Sequence, residues 1–282
     1  MKRLLVFIAL AISASAAFAQ YKVRLAENAT IGVNPNIETY FFVEKLAVES
    51  IGNYVFDTKG VDYSHQPIVH FGFKHFQRYQ NDPTIIRSTA IIKQVRDSLH
   101  DNGPILDYLL SQKEFPAKGN LFAADKKQLN SASDFNDVTR LLIELTDSLR
   151  QFYLKANVAD FLRHNGSFYQ GALEEIASDI GKTSYPAIEK WYGKRFPRYE
   201  LYISPAMPIT PGEDNYRGYG PAILSPAGKV PSMVVSSSRM LKLQDSLPLY
   251  KQFGFDNREV TQFITIHEIS HSFVNPLLEK YA

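Results

Sequence analysis

The sequence predicts an α+β protein, in which a mostly helical N-terminal part leads into a small sheet and one last helix. Three observations predict it. Apolar residues recur at helical spacing over much of residues 20–190. Short apolar runs bounded by Pro and Gly gather in residues 191–282. With 45% hydrophobic and 21% charged residues over 282 positions, the chain has the material for one large core or two smaller ones.

The elements follow in order. Tyr21 to Ala26 alternates as an opening strand. Asn34-Pro35-Asn36 signals a turn, after which Ile37 to Ile51 reads as an apolar-rich helix. Asp82-Pro83 marks a helix start, and Ile85, Ile86, Ile92, Val95 and Leu99 then lie at helical spacing up to Asn102-Gly103. Gly119 to Ser133 is a polar connection. The clearest amphipathic helix follows, with Val138, Leu141, Leu142, Leu145, Leu149 and Phe152 on one side. Shorter helical patterns continue through Leu162 and from Tyr169 to Ile180. Tyr199 to Ile203 is strand-like, a loop rich in Pro and Gly runs from Met207 to Gly220, and Ala222 to Leu224 and Met233 to Val235 are further short strands. The last helix begins near Asp256.

Composition bounds the function. A formal net charge of +2, with no dense Lys/Arg block, argues against a nucleic-acid partner. Met1-Lys2-Arg3, an apolar stretch from Leu4 to Phe18 and Ala17-Phe18-Ala19 form a signal-peptide pattern over residues 1–19, with cleavage expected before Gln20. The expectation is export to the periplasm or beyond, with no membrane span in the mature chain. Cysteine is absent, so any metal site must be built from His and carboxylates.

His267-Glu268-Ile269-Ser270-His271 is an HExxH motif. Residues four apart on a helix share a face one turn apart, so both imidazoles can reach one metal ion. Glu268 lies beside that pair, where it can act as general base toward a water polarised by zinc. Asp256 and Glu259 are spaced like a capping box. Val260, Ile264, His267, His271 and Val274 form one stripe, and Phe263, Ile266 and Phe273 make the other sides apolar, which predicts a buried helix. Pro276 is expected to end it within a residue or so.

A catalytic zinc takes three protein ligands, and the motif supplies two. The extension HExxHxxGxxH would need Gly and His where this chain has Val274 and Leu277. Among the eleven residues after His271 the sole acid is Glu279. Along a continued helix it lies roughly 12 Å from His271, too far to share the ion. Either an upstream residue completes the site, with His65, His70 and His75 available but unrecommended by spacing, or the chain as given is truncated. Truncation is the favoured expectation, with the third ligand outside this chain.

The segment His267 to Pro276, HEISHSFVNP, resembles the signature of an uncharacterised family of secreted bacterial proteins, common in Bacteroidota, regarded as zincin-type metallopeptidases. Asn36-Ile37-Glu38 to Leu46-Ala47 is similar to that family's start. The resemblance implies a zincin-like fold over residues 191–282, whose edge strand aligns the substrate, and a gluzincin-like zinc site with a downstream glutamate ligand. On that footing the sheet comes from Ala222 to Leu224 and Met233 to Ser236, and Tyr219, in the loop before it, is a candidate donor to the oxyanion. The expected activity is zinc-dependent hydrolysis of a peptide or protein substrate. The alternatives are a non-catalytic exported protein that binds peptide or glycan, or a zincin-derived pseudoenzyme.

Overall fold

The structure is a computed structural model that describes residues 21–51, 59–61, 63, 66–99, 103–121, 135–180, 184–209, 217–220, 222–225, 228–236 and 258–278. The expected signal peptide, His65, Asp256 and Glu279 lie outside the described residues.

Strand β1 (Lys22–Ala26) turns back into β2 (Ala29–Val33), and helix α1 (Pro35–Ile51) follows directly. Next come α2 (Pro67–Phe76) with a 3-10 turn (Gln77–Tyr79), α3 (Pro83–Leu99), α4 (Gly103–Leu110), α5 (Phe135–Lys155), α6 (Val158–His164), α7 (Gly166–Ile180) and α8 (Ser184–Tyr192). The chain then returns to the sheet as β3 (Tyr199–Ile203), β4 (Gly218–Tyr219), β5 (Ala222–Ser225) and β6 (Gly228–Val235), and ends its described part in α9 (Arg258–Leu278). The class is mixed α+β, as the sequence predicts.

The sheet runs in the order β1-β2-β3-β6-β4, with β5 paired to the first half of β6. β2, β3 and β6 are mutually parallel, and the flanking β1 and β4 are antiparallel to their neighbours. Strands from both sides of residue 190 therefore share one sheet, and one hydrophobic cluster runs from Tyr21 to Phe273. The division expected near residue 190 separates neither sheet nor core.

The amphipathic stripe of α5 is buried as its spacing predicts. On α3, Ile85, Ile92 and Val95 are buried, but Ile86 is exposed: it stands about 100° round the helix from Ile85, and Ser88 and Ile91 complete the inner face instead. Helix α1 is enclosed on all sides from Pro35 to Val48. Its charged residues are each held by a partner. Lys45 Nζ binds Glu49 at 2.6 Å and sits over the Tyr63 and Phe73 rings. Glu38 accepts hydrogen bonds from the Tyr169 hydroxyl at 2.8 Å and the Ala206 N–H at 3.2 Å.

Burial pushes the Glu38 carboxyl up to about 7, against the opposing pull of Ser204, Tyr169 and Ala206. The folded pKa exceeds the unfolded one, so the unfolded chain loses this proton first as pH rises. The stabilisation from Glu38 is complete below about pH 4.5 and is lost as pH rises through 7, a change of about 3 kcal/mol. Glu38→Gln keeps an acceptor for both donors and removes the titration. Urea unfolding at pH 4 and pH 8 should show the variant matching wild type at pH 4 and exceeding it by about 3 kcal/mol at pH 8. Equal stabilities at pH 8 would refute the assignment.

Candidate metal centre

Helix α9 lies against β6, β4, α7 and α8. Contacts near both its ends tie it to the helices. Gln262 Nε2 donates to the Asp179 carbonyl at the end of α7, 2.7 Å away. Phe273 stacks on Tyr192 at 4.8 Å and meets Phe196 edge-on at 4.9 Å. The buried face consists of Thr261, Ile264, Thr265, Glu268, Ile269, Ser272 and Phe273.

The helix is not buried all round, contrary to the sequence expectation. Phe263 and Ile266 are exposed, His267 is exposed, and the His271 side chain keeps 42% of its surface in solvent. The apolar residues on the outer face mimic a core pattern, and periodicity cannot say which side a sheet covers. Of His267, Glu268 and His271, only Glu268, at 6% exposure, is enclosed. The glutamate alone of the three bears the cost of a polar group taken out of water. α9 also runs two residues past Pro276, to Leu278, because the proline removes a hydrogen bond only in the last turn.

His267, Glu268 and His271 each offer a donor atom, and these atoms lie within 4.8 Å of one another, so the group could hold a metal ion. The two imidazole rings stand nearly perpendicular, centroids 5.0 Å apart. His271 Nδ1 is 3.4 Å from Asn275 Oδ1, an acceptor that favours the proton on Nδ1 and leaves Nε2 as the ligand atom. That Nε2 is 3.9 Å from Glu268 Oε2. Among the described residues no other His, Asp or Glu joins the group. His70 and His75 are on α2, and His75 packs against Phe76 and Phe161.

Strand β4 covers Glu268. A Cβ on Gly218 would stand 2.6 Å from Glu268 Oε1, and one on Gly220 would stand 2.2 Å from the Glu268 carbonyl oxygen and 3.1 Å from His271 Cδ2. Only glycine lets the main chain approach so closely. Side chains alternate along a strand, so Arg217 and Tyr219 point to the other face. There the Arg217 guanidinium, buried with Glu44, donates at 3.0 and 3.2 Å to the two carboxylate oxygens and at 3.1 Å to the Tyr219 hydroxyl. Tyr219, the candidate oxyanion donor, is not brought to the metal group: its hydroxyl accepts from Arg217 on the other face of β4.

Sequence reasoning missed Arg217 and Glu44. The available signal was the charged pair Glu44-Lys45 inside the apolar run from Tyr40 to Val48, where each charge needs a partner.

No family model, curated protein or solved structure matches the chain. No helix among the described residues is long and apolar enough to cross a membrane.

Proposed function

We propose that the chain is a zinc-dependent peptide hydrolase of the HExxH type, exported through residues 1–19. The observation that carries this reading is the convergence of His267, Glu268 and His271 donor atoms within 4.8 Å on one helix. The donor set suits zinc, which binds imidazole and carboxylate, and the Asn275 contact leaves His271 Nε2 on the side of Glu268.

His267 and His271 would hold the ion. Zinc, when bound, acidifies water and polarises a carbonyl. Glu268 Oε2, 3.9 Å from His271 Nε2, would take the proton from the attacking water. The Gly218 and Gly220 main chain covers Glu268 and keeps solvent from one side of its carboxylate. β4 is the last strand of the sheet among the described residues, so an extended peptide can add to it by main-chain hydrogen bonds.

The test is zinc content after dialysis. The wild-type chain should retain close to one equivalent, and His267→Ala with His271→Ala should retain none. Equal retention by both proteins would sink the reading. A second reading, metal binding without hydrolysis, is favoured by the lack of a further ligating residue among the described residues. Activity of the zinc-loaded wild type separates the two.

A further inference from the structure

The wall of the candidate centre formed by β4 is fastened from behind. Arg217 directly precedes β4, and its side chain donates to both oxygens of the Glu44 carboxylate, to the Pro208 carbonyl at 3.1 Å and to the Tyr219 hydroxyl. Its main chain is bound as well. The Arg217 N–H donates to Ser236 Oγ at 3.0 Å, and its carbonyl accepts from the Ser236 N–H at 2.9 Å, at the end of β6. Glu44 stands in the middle of α1, the most enclosed helix, and accepts a further bond from the Tyr40 hydroxyl at 3.3 Å. The guanidinium also lies over the Phe41 ring, 5.3 Å from its centroid.

β4 itself pairs with β6 through only two residues, Gly218 and Tyr219, too short a ladder to fix the strand's height over α9. The two glycines leave no side chain to act as a spacer there. The Arg217–Ser236 main-chain bonds extend that ladder by one position, and the rigid, planar, two-pronged pair behind the strand adds a side-chain anchor to α1.

We infer that Arg217, locked by Glu44, is the positioning residue that holds the Gly218–Gly220 main chain against Glu268 and His271. The inference rests on the proposed function for its catalytic meaning, though not for its geometry. Arg217 touches neither donor atoms nor substrate; it acts through the strand. Lysine in its place keeps one charge but loses the fork, so the strand would ride looser over the helix. The Tyr219 hydroxyl belongs to the same fastening.

The experiment compares Arg217→Lys, Tyr219→Phe and Leu145→Ala with the full wild-type chain. Leu145 is a buried residue of α5 outside β4 and α9, and its truncation serves as a destabilising control. Two readouts are taken: the imidazole nitrogen resonances of His271 without metal, and the zinc Kd. Arg217→Lys should move the His271 resonances and weaken zinc about 10-fold, as loss of supporting contacts behind a metal site does. Tyr219→Phe should move the same resonances less, and Leu145→Ala should change neither readout. A folded Arg217→Lys with both readouts unmoved would overturn the inference, as would equal changes in Leu145→Ala. If Arg217→Lys does not fold, Tyr219→Phe decides: unmoved His271 resonances overturn the inference. If wild type binds no zinc, the proposed function fails, while the metal-free resonances still decide the positioning.

Discussion

Glu268→Gln is expected to lower peptide hydrolysis about 10²- to 10⁴-fold while zinc binding stays close to that of wild type. The two sides of this expectation have different origins. The proton from the attacking water needs a basic oxygen, which an amide does not offer at neutral pH. The imidazoles of His267 and His271, on the outer side of α9, keep their donor atoms in the variant. Glutamine also has the shape of glutamate, which matters where Gly218 leaves so little room above Oε1. Initial rates on a denatured protein substrate, read beside zinc content, check both. Activity within a factor of two of wild type would remove Glu268 from the mechanism.

Glu44→Ala is expected to destabilise the fold by about 3–5 kcal/mol, the usual cost of stranding one charge of a buried pair. Burial alone would lower the Arg217 pKa, but the Glu44 charge, the Tyr219 hydroxyl and their hydrogen bonds outweigh it and hold the guanidinium protonated, its pKa raised well above the ordinary value. Removing Glu44 therefore leaves a cation enclosed among Phe41, Tyr219 and the Pro208 carbonyl. Denaturant unfolding measures the loss. Replacing both partners by methionine should recover most of it, since the desolvated charges then go together. A loss under 1 kcal/mol for the single variant would mean that the guanidinium does not depend on Glu44 to stay charged.

Particular elements explain what the sequence could and could not tell. Tyr199 to Ile203 reads as a strand because five residues rich in aromatic and branched side chains end at Ser204-Pro205, and β3 has those bounds. The stripe of α5 is legible because its outer face is charged. β2 was not foreseen. It is five residues long with Gly32 inside, and it becomes a strand only by pairing with β1 and β3. The HExxH spacing is local, so the metal group is legible. Which face of α9 meets the sheet is not, because apolar residues surround that helix. The Glu44–Arg217 pair spans 173 positions, and no local pattern encodes a contact of that range.

The order of strands has a consequence for how the chain acquires its shape. Ala29 pairs with Tyr199, so the centre of the sheet waits until all of α1 to α8 has been traversed. Closing so long a loop is slow, because its entropy must be lost before the parallel contacts return anything. Until then the first hairpin has a bare outer strand, Ala-Thr-Ile-Gly-Val, with no charge along it. Such an edge is open to the same strand of a second chain. Dilute conditions, or a binder that shields the hairpin during synthesis, would favour closure of the sheet within one chain.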